Sequence, residues 1–110
     1  MSKFNAKKTD VDGVVFDSKK EASYYIKLKA LRKAKNEAER VSYIELQPKF
    51  DIIIDDKKLG FYKADFRVGY ADGRTEVVDI KGYKKGAAYQ LFRLKKKVIE
   101  ALYNINIIEK

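Results

Sequence analysis

Five residues, Tyr70-Ala71-Asp72-Gly73-Arg74, separate two β-rich runs, and the shape of that turn decides which side chains of the runs can meet. Gly73 stands third in the loop, where a three-residue hairpin connection with a bulge takes a left-handed residue. Lacking a Cβ, glycine adopts that conformation without a steric penalty. With Ala71, Asp72 and Gly73 as the loop, Tyr70 faces Arg74, and counting back along both strands puts Asp65 opposite Asp79. A two-residue Asp72-Gly73 turn would send the two acids to opposite faces, because strand side chains alternate with a period of two.

The three-residue form groups Tyr62, Ala64, Phe66 and Val68 with Val78 and Ile80 on an apolar face. Lys63, Asp65, Arg67, Asp79 and Lys81 share the other. Two carboxylates facing each other across strands repel by about 3 kcal/mol at roughly 5 Å in an effective dielectric near 20. A divalent cation offsets that repulsion, and Mg²⁺ prefers hard oxygen ligands of this kind, with Lys81 adding positive charge at the edge. The competing reading is an ordinary solvated sheet face, with Asp65 paired to Lys63, Arg67 or Lys81.

At 110 residues the chain is expected to form one domain, since it is long enough for a single core and too short for two. Its 45% hydrophobic content argues against disorder. With 25 Lys and Arg against 16 Asp and Glu, the net charge of +9 favours a polyanionic partner, nucleic acid first, although a lysine-rich solvated surface gives the same total. The chain has no cysteine and no histidine, which removes disulfides, thiolate sites and imidazole chemistry. Catalysis then falls to carboxylate, lysine or hydroxyl. No apolar run approaches the roughly 20 residues of a membrane span, and Met1-Ser2-Lys3-Phe4 lacks a secretory apolar region, so a cytoplasmic location and no membrane partner are expected.

Residues 1–10 read as a loosely ordered segment, followed by a short hairpin through Asp12-Gly13 between valines. Ser18-Lys19-Lys20-Glu21 fits a capping box, with a first helix running to about Lys35. Glu21, Tyr24, Tyr25, Leu28, Leu31 and Arg32 form its inward stripe. Residues 36–40 link it to a strand at Val41–Leu46, and Pro48 marks a bend before a second strand at Phe50–Ile54. A polar turn over Asp55–Lys58 leads into the central hairpin, from about Phe61 to Lys81. Tyr83–Gly86 reads as a basic, flexible link to a second helix over Ala87–Tyr103, whose buried stripe is Ala88, Leu91, Leu94, Val98 and Leu102. Ile105–Ile108 has the length of a last strand. The expected fold class is α/β, a mixed sheet flanked by helices.

The order of a helix bearing Glu21, a strand bearing Asp65, then Asp79-Ile80-Lys81 and a basic amphipathic helix resembles the PD-(D/E)XK nuclease superfamily. Phe16–Ala22, Glu45–Pro48, Tyr62–Phe66 and Asp79–Gly82 together look like an uncharacterised group of small bacteriophage proteins within it, a likeness that covers nearly the whole chain. Relatives by fold include the phage endonuclease I type of Holliday-junction resolvase. The resemblance implies a restriction-endonuclease-like core of a helix, three to four strands, a helix and a strand. It implies that Asp65, Asp79, Glu21 and the main-chain carbonyl of Ile80 hold Mg²⁺, or Mn²⁺ in its place, and that Lys81 is the motif lysine. Ala64 stands where the superfamily's name has proline, which ligates nothing. Glu21 carries a competing structural role in the capping box.

These residues suit hydrolysis of a phosphodiester, and the resemblance implies a 5′-phosphate product. Lys84, Lys85, Lys95, Lys96 and Lys97 would contact backbone phosphates, which positions a substrate without reading its sequence. Tyr83 and Tyr89 could stack on a splayed base, but aromatic residues beside a helix start more often pack. The expected function is a metal-dependent DNA endonuclease acting on branched DNA in phage recombination or replication, possible as a homodimer because two-fold symmetry places two sites on one substrate. The alternative is a noncatalytic basic nucleic-acid-binding module; an RNA-directed nuclease uses the same chemistry.

Overall fold

Tight turns at residues with positive φ set the strand pairings of this protein, whose computed structural model describes residues 8–81 and 84–110. Asp12 and Gly13, at φ 51° and 84°, close a hairpin of β1 (Thr9–Val11) and β2 (Val14–Phe16). Thr9 and Asp10 therefore belong to a strand rather than to a loose segment, while residues 1–7 of that segment lie outside the described residues. The Ser18 Oγ accepts the Glu21 amide at 3.1 Å and starts α1 (Lys19–Ala30). That bond satisfies one of the amides a helix start leaves unpaired. Ser18→Ala is expected to lower stability by about 1 kcal/mol, measured as a reduced urea midpoint with an unchanged slope.

α1 stops earlier than the expected Lys35, passing through a 3₁₀ turn at Leu31–Lys33 to an extended Ala34. The Asn36 side chain accepts the Ala38 amide, and Asn36 O accepts those of Glu39 and Arg40, so local turns take up the amides a longer helix would have used. Leu28 is buried on the inner face and Tyr24, Tyr25 and Leu31 pack beside it, but Arg32 is exposed, contrary to its expected place on the stripe.

Strands β3 (Val41–Leu46), β6 (Phe66–Tyr70), β7 (Thr75–Asp79) and β8 (Ile107–Glu109) form one sheet in the order β3-β6-β7-β8. β7 and β8 run parallel and the other pairs antiparallel, so the sheet is mixed, as expected of the α/β class. Strands β4 (Lys49–Ile54) and β5 (Lys57–Lys63) are joined by a two-residue turn at Asp55 and Asp56, both at positive φ. Leu46 lies opposite Phe66 and Lys49 opposite Lys63, so β3–β6 and β4–β5 share one register through a bend. Pro48 is fully buried at that bend and has no N–H to donate. Gln47, at φ 50°, donates to the Asp65 carbonyl, and Ala64 donates to the Pro48 carbonyl at 3.1 Å.

The bend corrects the extent of the central hairpin, because β5 pairs with β4 and only β6 pairs with β7. It also separates two sets of side chains expected on one face. Phe66, Val68, Val78 and Ile80 pack under α1 with Phe16, Ala22, Leu28 and Val41. Tyr62 and Ala64 instead join Val77, Phe50 and Ile107 beneath α2 (Gly86–Tyr103). Both faces of the sheet are thus covered, and neither is an open chemical face.

The inward side of α2 is made by Phe92 and Ile99, with Tyr89 beside them. Leu91, Leu94 and Leu102, expected as the buried stripe, are 54%, 60% and 43% exposed, and Ala88 is exposed too. Two rows of apolar residues run along this helix, and periodicity cannot rank them. The aromatic row wins because Tyr62 and Phe50 offer it rings, Tyr62 to Phe92 with centroids 6.1 Å apart and Phe50 to Tyr103 at 5.3 Å. The last strand begins at Ile107 rather than Ile105.

Candidate metal and phosphodiester site

Gly73 adopts φ 92°, and Tyr70 donates to the Arg74 carbonyl at 2.9 Å while accepting from Gly73. The loop is therefore the three-residue form. Pairs Phe66/Val78, Arg67/Val77 and Val68/Glu76 follow, and just past the end of that ladder Asp65 and Asp79 come together at one cleft.

Asp65 sits on the bend, held from several sides. Its carbonyl accepts from Gln47, its amide donates to the Val78 carbonyl at 3.1 Å, and its Oδ2 accepts the Ile80 amide at 2.7 Å. Asp79 is buried at the end of β7. Its Oδ2 accepts the Tyr62 hydroxyl, and its Oδ1 lies 3.1 Å from the Lys81 ammonium. That ammonium also stands 3.6 Å from the centroid of the Phe92 ring, a cation–π contact that fixes it above the cleft. The backbone beneath is clamped by the last residue of the sequence, since Lys110 donates to the Asp79 carbonyl and accepts from Lys81. Lys20, from the first turn of α1, donates to the Lys81 carbonyl at 2.7 Å.

Electrostatics mark the acids as one centre. Burial first, then the neighbouring Asp79 and Glu21 charges, push the Asp65 carboxyl up to about 8, opposed by the hydrogen bond from Ile80. Burial, Asp17 and Asp79 raise Glu21, while Lys81 pulls it down. Burial and then the bond to Asp79 raise the Tyr62 hydroxyl, so that it remains a proton donor to the carboxylate. Among the described residues Asp65 has no Lys or Arg partner: Arg67 pairs with Glu45 at 3.0 Å and Lys81 with Asp79. The ion-paired surface reading of Asp65 therefore fails.

Not all the expected ligands converge. Among the described residues no three acidic side chains gather as a metal-holding group. Asp65 and Asp79 meet, whereas Glu21 stands back in a cavity of about 200 Å³ that it lines with Asp65, Asp17 and Gln47. Glu21 shares that cavity with Asp65, and its charge and that of Asp79 act on each other. Ile80 follows Asp79 in the sequence and its amide donates a hydrogen bond to Asp65 Oδ2, which brings its main chain to the centre. The donor set of two hard carboxylates, Asp79 buried and paired with Lys81 and Asp65 half-buried with no Lys or Arg partner among the described residues, fits a divalent cation. A cleft of about 370 Å³ opens over Asp65, Asp79 and Lys81, walled by Phe61–Lys63 of β5 and by Ala88, Leu91, Phe92 and Lys95 of α2.

The basic residues divide. Lys84, Lys85 and Lys97 are exposed. Lys95 donates to the Phe61 carbonyl at 3.3 Å and closes one end of the cleft. Lys96 is largely withdrawn, 2.9 Å from Glu109, which corrects its expected place among the free phosphate contacts. Tyr89 donates to the same Glu109 carboxylate at 2.8 Å and packs against the core, so it is not a stacking ring. Tyr83 lies outside the described residues.

Tyr62 was assigned only to packing, and the structure gives it a bond to Asp79. The signal was present: a buried tyrosine needs a partner for its hydroxyl. Tyr62→Phe is expected to lower stability by about 1.5 kcal/mol, as loss of one hydrogen bond to a charged group does, measured as a reduced urea midpoint with an unchanged slope.

A model of one protein family matches residues 1–108. The chain belongs to the DUF1064 family. That family is described as a protein of unknown function. No curated protein and no solved structure matches the chain. Among the described residues no helix is long and apolar enough to cross a membrane.

Proposed function

We propose that this protein is a Mg²⁺-dependent endodeoxyribonuclease that hydrolyses phosphodiester bonds, selective for branched DNA in the manner of a Holliday-junction resolvase. The observation that carries the reading is the meeting of Asp65 and Asp79 at the floor of an open cleft, with the Lys81 ammonium beside them. The resemblance to the PD-(D/E)XK superfamily supports it through the same residues. A bacteriophage origin, action in the host cytoplasm and assembly as a homodimer accompany this reading.

Asp65, Asp79 and the Ile80 main chain would hold the cation, with Glu21 adding field from behind. When bound, the cation supplies Lewis-acid polarisation of the phosphate and a more acidic water. Tyr62 fixes the rotamer of Asp79, leaving its carboxylate aimed into the cleft. Lys81 carries a positive charge at the cleft floor, where it neutralises charge that develops on a pentacoordinate phosphorus. Lys84, Lys85, Lys95 and Lys97 would position the backbone, and the net charge of +9 draws it in. Among the described residues neither helix carries an obvious set of base-edge donors, which favours selection by shape.

One observation favours the second reading, a noncatalytic nucleic-acid-binding module: the Lys81 ion pair already neutralises Asp79. Incubation of a four-way junction and its matched linear duplex with Mg²⁺ separates the two. Cleavage of the junction that disappears in Asp79→Ala supports the nuclease. Tight binding with no cut by the wild type, in Mg²⁺ or Mn²⁺, establishes the module. The ratio of junction to duplex cleavage then measures branch selectivity.

A further inference from the structure

The cleft has an aromatic rim that hydrolysis alone does not use. Phe61 is buried on neither face; its ring is 44% exposed, although its neighbours Phe50 and Tyr62 are buried. Three lysines surround it. The Lys49 and Lys63 ammonium groups lie over its ring as cation–π contacts, 4.6 Å and 5.9 Å from the centroid, so a base that stacks there displaces an ammonium toward its own phosphate, and Lys95 is anchored on the Phe61 carbonyl. Across the cleft, Leu91 is 54% exposed and faces the same opening, with the two aspartates and Lys81 on the floor between.

An exposed ring ringed by cations and adjoining a phosphodiester site has the composition of a single-strand stacking platform: the π face takes a base of any identity and the cations take the phosphates on either side. A continuous duplex offers no free base face, because its bases are stacked on each other. We propose that Phe61, opposed by Leu91 and flanked by Lys49, Lys63 and Lys95, holds an unstacked base next to the bond to be cut, so that the preferred substrate carries an unpaired nucleotide beside the scissile phosphate. This rests on the nuclease reading for its link to cleavage, but the binding it describes does not. It also gives branch selectivity a cause, since nucleotides at a junction, flap or fork open more readily than those within a helix.

The test reads binding without turnover. Wild type, Phe61→Ala and Phe61→Tyr are titrated, in EDTA, with a single-stranded oligodeoxynucleotide carrying one 2-aminopurine and with the matching duplex. Wild type is expected to quench the 2-aminopurine on binding. Phe61→Ala is expected to lose about tenfold in single-strand affinity, the scale set by removal of one stacking ring, and to change duplex affinity less than twofold. Phe61→Tyr, which keeps a ring, should retain the wild-type values and controls for folding. Equal losses on the two DNAs, unchanged single-strand affinity, or a dimer in sedimentation that Phe61→Ala dissolves would each overturn the proposal. A protein that passes this test and yet cuts nothing in Mg²⁺ keeps the platform and loses the nuclease reading, so the two failures are distinguishable.

Discussion

Asp79→Asn is expected to cut the rate of junction cleavage in Mg²⁺ by a factor on the order of 10², the lower end of the scale of losing one principal stabiliser of transition-state charge, because the cleft is open to solvent. Asparagine preserves the volume and can still accept the Tyr62 hydroxyl, so the fold is retained. What it lacks is the negative charge that would hold the proposed cation. Junction binding in EDTA should stay equal or become tighter, because the substitution removes an anion from a surface that meets phosphates. That opposite movement of binding and rate is the informative outcome. Asp51→Asn, a carboxylate on β4 outside the cleft lining, serves as control and should leave the rate unchanged. Equal rates in Asp79→Asn and wild type would exclude the assigned site.

Asp65→Asn is expected to stabilise the cation-free protein at alkaline pH. The carboxyl titrates near 3.9 when unfolded and near 8 when folded, raised first by burial and then by Asp79. Between those values the folded state keeps a proton that the unfolded state has released. Stability therefore falls as pH rises from about 4 to 8, and above 8 the full cost of a buried, repelled charge is present. Asparagine keeps the hydrogen bond from Ile80 and removes the charge, so the wild-type-minus-variant difference reports Asp65 together with its coupling to Asp79 and Glu21. Urea denaturation at pH 5 should give similar stabilities. At pH 8.5 the variant should exceed the wild type by on the order of 3 kcal/mol, after allowance for the solvent the cleft admits. Mg²⁺ should close that gap by stabilising the wild type alone, since anything that binds only the folded state adds to its stability. A variant less stable than wild type at pH 8.5 would show that Asp65 is not under electrostatic strain.

Both predictions depend on a register that the sequence states in one residue. Gly73 can take φ 92° at the third loop position, and from that alone the approach of Asp65 to Asp79 follows. Ser18 as N-cap, Pro48 as bend and the Asp12-Gly13 turn were legible in the same way, because each is a local preference that no distant contact contradicts. The rotation of α2 was not legible. Leu91, Leu94, Val98 and Leu102 make as regular a stripe as Tyr89, Phe92, Ile99 and Tyr103, and only the rings of Phe50 and Tyr62, far away in sequence, favour the second. The pairing of Lys96 with Glu109 was hidden for the same reason, since β8 reaches that carboxylate only after packing beside β7. Tyr62 escaped notice as a partner of Asp79 because alternation through Ala64 was carried across a bend that breaks it.

The sequence by itself determined the turns, the helix start, the α/β class and the closeness of two acids, all consequences of backbone preference and strand periodicity acting over a few residues. Tertiary structure alone decided which face of α2 is buried, that both faces of the sheet are covered, and that Tyr62, Lys20 and Lys110 brace the aspartates. Those outcomes depend on competition among apolar surfaces and on hydrogen bonds between residues tens of positions apart, and such competition is settled only when the whole chain packs.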